Sequence, residues 1–555
     1  MRISRRNFLK SLTASTAGIA AAGLLAGCNT AASSTPAASS AAASEAPAES
    51  AAASTAASAE PSQVLETDVA VIGLGASGML AALGAADKGA SVIAIDTAAN
   101  FEATTNTHTT GSWLVESSEQ LKYDHYMTQE QAFTRIMEGT NYQCNGKVVR
   151  NMLKVSGRAA DIMIQGGVQF MYAFANSDEN TDWLSRGGHV YLEEGEPRAN
   201  NFREMCAARS TLTTMFSTRA TQLLTDASGK VTGLLAENAD GVIQINAKAV
   251  ICCGGGFLAN AEMVKEHFAG AQIVNQGFAT VDGSTIQMCQ SVGAQLGKNF
   301  SVSCNEMGAA NFKAKPQYSW APGRNTSACF YLPLFGNILM DKNGDRFINE
   351  QRMAEQTMYT GEPLIRDSVY YTVIDSANLE RLKTTPIYDF LSEGSKANMG
   401  MALLAGFQGV TLTEMETDID QAISEGWAAK ADTLEELADK FGLTHMVDTV
   451  AAYNEAYQSG YDDDFFTPAD YLTPVTEGPY YIFEYNPGAW CTIGGIKTDG
   501  SCRALDADNN VISGLYVAGC AADLWSVPYY QGGSCNGFCL ASGLLAGESA
   551  ADDIA

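Results

Sequence analysis

The stretch TDVAVIGLGASGMLAALGAADKGASVIAIDTAAN, residues 67–100, restricts the possible folds more than any other part of this 555-residue chain. Asp68 to Ile72 is an apolar run that predicts a strand, and Gly73-x-Gly75-x-x-Gly78 follows it at once. A helix of small residues is predicted through Lys88, then a second strand from Ser91 to Ile95 that ends on Asp96. A glycine triplet alone says little. In the order strand, glycines, helix, strand, acid it describes the unit that cradles the pyrophosphate of a dinucleotide. Gly73 permits the tight turn and Gly75 lets a phosphate approach the backbone. Gly78 allows close helix packing, with the positive helix N-terminus facing the phosphates. Asp96 is placed to accept hydrogen bonds from a ribose.

Beyond Asn100 the chain does not continue the alternation of strands and helices that a nicotinamide-binding domain requires. It enters FEATTNTHTTGSWLVES, a hydroxyl-rich loop around Gly111. Later come FSTRATQLLTDASGKVTGLLA, then AKAVICCGGGFLANAEM, TVDGSTIQMCQSVGAQL and, near the end, GLYVAGCAADLW. This set, in this order, resembles the flavoprotein subunit family of fumarate reductase and succinate dehydrogenase, which includes 3-ketosteroid dehydrogenases and exported flavin reductases. The resemblance covers nearly all of residues 66–555. It implies FAD as cofactor and an α/β fold: a discontinuous Rossmann-like FAD-binding domain, residues 65–310 and 488–555, with an inserted α+β capping domain, residues 311–487. Carried over position by position, it places FAD contacts on Gly73, Gly75, Ser77, Gly78, Asp96, Thr104, Thr105, Thr110, Gly111, Ala220, Asp282, Cys520, Gly533 and Ser534. At Cys520 the sequence departs from the family's frequent Ala-Gly-Glu, so that glutamate's hydrogen bond has to come from elsewhere, with Asp523 as a candidate.

The departures elsewhere narrow the chemistry. Reducing an activated C=C bond takes a hydride to one carbon and a proton to the other, while charge grows on the activating group. Arginine forks suit a carboxylate, and the family's fumarate reductases carry a histidine before their TxGG and arginines at two further places. Here Trp490 and Cys491 precede Thr492-Ile-Gly-Gly495, and Tyr529-Tyr530-Gln531 precede Gly532-Gly533. Four residues past Glu350 stands Ala354, the nearest arginine being Arg352, and Phe330 and Pro333 occupy the proton-relay positions. Fumarate and other small dicarboxylates are therefore excluded as expected substrates. Similarity to the ketosteroid dehydrogenase pattern places Tyr529 and the Gly533 N–H around a ketone oxygen. A phenol with its usual pKa of about 10 is neutral at pH 7 and donates a hydrogen bond without demanding a counter-charge.

The catalytic candidates are thus Tyr529, Tyr530 and Arg352, with Trp490, Cys491 and Gly533 against the substrate. Plainer readings stand beside them. The tyrosines and Trp490 also suit packing, Arg352 also suits an exposed charge on the cap, and His108 and His189 suit packed or solvated imidazoles.

The N-terminus adds an address. Arg5-Arg6 within SRRNFLK, a weakly apolar stretch and Leu25-Ala-Gly-Cys28 read as a twin-arginine lipoprotein signal over residues 1–28, with Cys28 acylated. Residues 29–64 are mostly Ala, Ser, Thr, Pro and Glu, a composition that cannot offset the entropy of ordering. The expected protein is extracytoplasmic and held at the cell membrane by its lipid anchor alone. A net charge of −28 argues against nucleic-acid partners. The 13 cysteines include no C-x-x-C, so neither metal nor covalent haem is expected, and most read as buried, reduced thiols.

The expectation is an exported FAD-dependent oxidoreductase acting on CH–CH or C=C groups. It reduces an enone or enoate of a fairly apolar, aromatic or steroid-like organic acceptor, a chemistry suited to anaerobic respiration. Electrons come from an external cytochrome or quinol-linked donor. Two alternatives stand: a dehydrogenase that introduces a C=C bond next to a ketone, and a lipoprotein that only carries electrons on its flavin.

Overall fold

Val69 to Ile72, the buried end of the strand Gln63–Ile72 (β1), are apolar on both faces, as a parallel strand covered on both sides must be. The strand begins five residues earlier than the apolar run suggests, because Gln63 to Thr67 continue the pairing with a neighbour, Gln63 opposite Ile243. The helix Ala76–Asp87 (α1) follows the glycine turn, and everything from Ala76 to Ala86 is buried. Val92–Ile95 (β2) then lies parallel to β1, with Ile72 opposite Ile95. The computed structural model describes residues 60–104, 111–124, 126–172, 186–192, 196–303, 309–315, 327–355, 367–398, 408–524 and 533–555.

Leu212–Met215 (β3) extends the sheet beside β2, again parallel. Arg219–Thr225 (β4), Val231–Asn238 (β5) and Gly241–Cys252 (β6) form an antiparallel meander whose last strand turns back alongside β1 in parallel. After Val274–Asn275 (β7) the chain enters a second, mainly antiparallel sheet. Its strands are Leu339–Met340 (β8), Tyr370–Ile374 (β9), Ala428–Ala431 (β10) and the long Tyr480–Ala489 (β11), which pairs with β9 on one side and β10 on the other. β7 pairs in parallel with Gly488 and Ala489, the end of β11, and so joins this second sheet. Aromatic side chains fill the space behind this sheet: Phe330 stacks on Trp427 at 4.9 Å between ring centroids, and Tyr485 donates its hydroxyl proton to the Cys329 carbonyl.

The chain then returns through Cys491–Ile493 (β12) to the first sheet. Arg503–Leu505 (β13) and Val511–Val517 (β14) complete its far edge, β14 running parallel to β6. The eight strands of that sheet therefore come from both ends of the sequence. The final helix, Ser534–Ile554 (α2), packs backbone to backbone on α1. A Cβ on Gly547 would stand 2.1 Å from the Ala81 carbonyl oxygen, and one on Gly543 2.0 Å from that of Ser77. The Gly and Ala content of both helices follows from that proximity. The result is an α/β fold with a parallel-strand FAD-binding domain and a capping domain.

Candidate active site

The glycine turn closes as the sequence requires. Gly73 has φ +93°, and a Cβ there would press on the Cys253 carbonyl oxygen at 2.7 Å; one on Gly78 would come within 1.7 Å of the Gly73 carbonyl oxygen. Gly75 stands at the N-cap of α1 with no side-chain cap, which leaves that helix end open to an anion. Asp96 leaves β2 and points back into the turn. Its Oδ2 accepts the Leu74 N–H at 2.6 Å and its Oδ1 the Ala98 N–H at 2.8 Å. Burial raises its pKa, opposed by those two backbone bonds. Each oxygen keeps a further lone pair for a ribose hydroxyl.

Three more segments meet the turn. The Gly254–Gly256 run after β6 lies against Thr492 in β12: a Cβ on Gly256 would be 2.1 Å from Thr492 Oγ1, which accepts the Phe257 N–H at 2.8 Å. Gly519 meets α1 so closely that a Cβ would stand 2.4 Å from Ser77 Oγ, and its N–H donates to Ser542 Oγ at 3.0 Å. Gly533, left-handed at φ +76°, opens α2 without a side-chain cap. Its carbonyl oxygen accepts the Trp113 N–H at 2.9 Å, which ties the strand Ser112–Trp113 to the last helix. Asn536 reinforces that tie, donating from Nδ2 to Ser112 Oγ at 2.8 Å and to the Tyr191 hydroxyl at 3.1 Å.

The residues read from the sequence as cofactor contacts separate by what they already hold. Ser534 is buried, yet its hydroxyl has no hydrogen-bond partner among the described residues. A buried hydroxyl without a partner is costly unless a ligand supplies one, so this orphan at the start of α2 fits a bound FAD, as does the glycine cradle. Thr104 is buried but already donates to the Phe101 carbonyl at 2.8 Å. Ala220 lies buried in β4 opposite Ala236. Asp282 is ion-paired to Arg219 at 2.5 Å and accepts the Ser284 N–H at 3.0 Å. Desolvation pushes its carboxyl up, but the Ser284 and Arg219 bonds win and hold it below the usual range. Gly111 follows the hydroxyl-rich loop and sits against His189 and Val190.

Of the substrate-facing candidates, Trp490 and Cys491 are both buried, directly after β11 where the chain enters β12. Arg352 is exposed on the short helix Glu350–Glu355, whose Met353 and Ala354 are buried instead; a proton-donor role requires its guanidinium to leave water. Phe330 is wholly buried in the aromatic stack with Trp427, and Pro333 is buried beside it. His189 is fully buried. Its Nδ1 faces the Gly187 carbonyl at 3.0 Å and its Nε2 the Ser117 hydroxyl at 2.9 Å, so the neutral ring donates to the first and accepts from the second. Burial lowers its pKa to about 4, and it braces the fold rather than titrating near neutrality. Cys28, Thr105, Thr110, Tyr529 and Tyr530, with His108 and Trp525, lie outside the described residues.

Two features went unread in the sequence. The first is a buried charge cluster in the cap. Arg346 reaches Glu350 at 2.6 Å and Asp462 at 2.9 Å, with all three side chains almost wholly shielded. Its i,i+4 spacing to Glu350 was a visible signal; Asp462, far along the chain, was not. The second is a set of sulfur atoms. Cys491, Cys520 and Cys535 lie 3.4–3.6 Å apart, and Cys539 is 3.7 Å from Cys520. The side chain of Cys520 therefore faces other thiols, in place of the carboxylate that the family pattern carries there.

Known proteins match this arrangement. A family model described as FAD binding domain matches residues 68–536. The vinyl phenol reductase of Lactiplantibacillus plantarum (strain ATCC BAA-793 / NCIMB 8826 / WCFS1) is 27% identical over 501 residues, which cover 87% of this chain and 96% of that protein. The NADH:acrylate oxidoreductase of Vibrio harveyi is 25% identical over 555 residues and 87% of this chain, but the match spans only 50% of that longer protein. Among solved structures, the open conformation of a flavocytochrome c3 fumarate reductase superposes with a TM-score of 0.63 at 20% identity, over 89% of this chain and 79% of that one.

Proposed function

This chain belongs to the FAD binding domain family, and from that membership we propose that it reduces the activated C=C bond of an apolar, aromatic or enone-like organic acceptor. It is an FAD-dependent oxidoreductase. The glycine cradle at Gly73–Gly78 and the start of α2 would hold FAD, whose reduced ring would supply the hydride from N5. The protein's own part is to bind and orient the acceptor, stabilise the charge that grows on its oxygen, and keep water out.

One observation carries the substrate class. At the places where the family's fumarate reductases carry a histidine, a proton-delivering arginine and a proton-relay pair, this chain has Cys491 buried among thiols, Ala354 buried, and Phe330 and Pro333 packed into the aromatic core of the cap. A small dicarboxylate brought there would surrender its hydration to apolar walls. An aromatic acceptor loses little, and its phenol or ketone oxygen needs only a neutral donor. Tyr529, with Tyr530 beside it in sequence, is assigned that role, together with the backbone N–H of Gly533. The alignment with a vinyl phenol reductase over 96% of that protein's length supports the aromatic reading.

Electrons reach the flavin from a separate donor, a cytochrome or quinol-linked protein, and the net charge of −28 favours a basic one. The twin-arginine pattern and the Cys28 lipoprotein box support an enzyme held outside the cytoplasm on a lipid anchor.

The test is an anaerobic acceptor panel with a reduced viologen dye as donor: vinylphenols, cinnamate-type enoates, cyclic enones and fumarate. Turnover on the aromatic or enone members with none on fumarate is expected. Fumarate as the fastest acceptor would overturn the assignment. Within the panel, Tyr529→Phe or Tyr530→Phe should lower turnover at least tenfold with flavin content unchanged; full activity in both removes the phenol from the mechanism.

A further inference from the structure

The four clustered cysteines come from three separate parts of the chain. Cys491 opens β12, Cys520 sits in the single turn Gly519–Ala521 after β14, and Cys535 and Cys539 are one helical turn apart on α2. An i,i+4 spacing puts both α2 sulfurs on one face of the helix. All four are buried, with side-chain sulfurs at 3.6 Å (Cys491 to Cys520), 3.5 Å (Cys491 to Cys535), 3.4 Å (Cys520 to Cys535) and 3.7 Å (Cys520 to Cys539). The sulfurs of Cys491, Cys520 and Cys535 are each adjacent to the other two, all within 4.8 Å of one another.

From this convergence we propose that Cys491, Cys520 and Cys535, with Cys539 alongside, form a site for one thiophilic closed-shell cation, zinc(II) or copper(I). Donor chemistry selects the class. An all-sulfur set without a carboxylate or imidazole is soft, which favours these ions over calcium, magnesium or manganese. Geometry agrees. A zinc–thiolate bond of about 2.3 Å sets neighbouring sulfurs of a tetrahedron roughly 3.8 Å apart. The triad reaches that spacing if each sulfur moves outward by a few tenths of an ångström, within the reach of a χ1 adjustment.

The binding step balances without any redox partner. Each thiol that ligates releases its proton to solvent, and the cation takes the lone pair of the resulting thiolate. With zinc(II) and three thiolates the site carries one net negative charge, with copper(I) two. Hydrogen bonds from Cys491 and the neighbouring thiols, with burial added, push the Cys520 and Cys535 thiols above their usual range without a metal, so the ion itself has to offset their deprotonation. The bound ion would fasten β12, which carries Thr492 against the Gly254–Gly256 turn, to both flanks of the segment containing Tyr529 and Tyr530. Its role is to position these elements; the site requires nothing of the substrate assignment above.

The experiment uses the full-length, FAD-loaded protein, exposed anaerobically to zinc(II) in one arm and copper(I) in the other, then desalted and assayed for metal per flavin by mass spectrometry. One equivalent of one metal is expected, with X-ray absorption reporting three or four sulfur neighbours. Cys491→Ser and Cys535→Ser should each lower retained metal at least tenfold, whereas Cys206→Ser, a buried thiol outside the cluster, should keep it. Should the serine variants fail to fold, the absorption spectrum of the unaltered protein decides. Less than a tenth of an equivalent in both arms with flavin intact, a metal bound through nitrogen or oxygen only, or a disulfide among these cysteines would overturn the proposal.

Discussion

Asp96→Asn tests the link between the glycine turn and the cofactor more sharply than removal of any glycine. The aspartate splits its two oxygens between two backbone donors, Leu74 N–H at 2.6 Å and Ala98 N–H at 2.8 Å. Asparagine has a single carbonyl oxygen, and its amide NH2 must then face the other N–H. One buried, charge-assisted hydrogen bond disappears and a backbone donor is left unpaired. Such a bond contributes about 1.5–3 kcal/mol, and a ribose hydroxyl held by the same carboxylate is weakened with it. If the turn relaxes only when FAD leaves, the loss falls on binding and the FAD dissociation constant rises by roughly 10- to 150-fold. If the turn is equally strained in both states, the loss falls on the melting temperature of the apoprotein instead. Titrating flavin-stripped protein with FAD by fluorescence quenching, beside thermal melts of the apo forms, separates the two. An Asp96→Asn protein matching the parent in both measurements would refute the idea that this carboxylate organises the turn.

Two further perturbations read the structure elsewhere. His189 is neutral and buried with a pKa of about 4, against 6.5 for the free group. Between those values the unfolded chain binds a proton that the folded one does not, so its stabilising contribution is complete above pH 6.5 and fades as pH falls toward 4. The loss should total about 3 kcal/mol. Denaturant midpoints from pH 7.5 to 4.5 should fall more steeply for the parent than for His189→Gln; parallel curves would contradict the assignment. Arg346→Met leaves Glu350 and Asp462 buried without their cation, at a cost of about 3–5 kcal/mol. The triple substitution Arg346→Met, Glu350→Gln, Asp462→Asn should restore most of it, and a single variant that melts with the parent would show the cluster to be dispensable.

What the sequence disclosed follows the distance over which its signals act. The turn from Gly73 to Gly78 and the acid at Asp96 were legible because one βαβ unit contains the whole pattern, and Gly73 and Gly78 meet backbone that the same unit or its neighbouring strand supplies. Thr104, Ala220 and Asp282 could be placed by resemblance only. The structure shows that Thr104 and Asp282 already satisfy partners of their own, which no motif could have announced. The sulfur cluster is the opposite extreme. Metal sites are usually recognised by two ligands a few residues apart, and here the nearest pair, Cys535 and Cys539, is spaced for a helix face rather than a loop. Cys491 and Cys520 join them only because the chain, after the cap insertion, passes through β12 and then β14 before reaching α2. The substitution of Cys520 for the family's glutamate and of Cys491 for its histidine looked like two separate losses. In three dimensions the new side chains touch. Losing the carboxylate and the imidazole and gaining a shared set of thiols is therefore a single change of chemistry, replacing a hard, carboxylate-bearing corner by an all-sulfur one. That coupling makes a double-mutant cycle between the two positions informative: restoring Glu at 520 alone should bury an unpaired carboxylate beside Cys491 and destabilise the protein, and His at 491 should recover part of the loss by pairing with it.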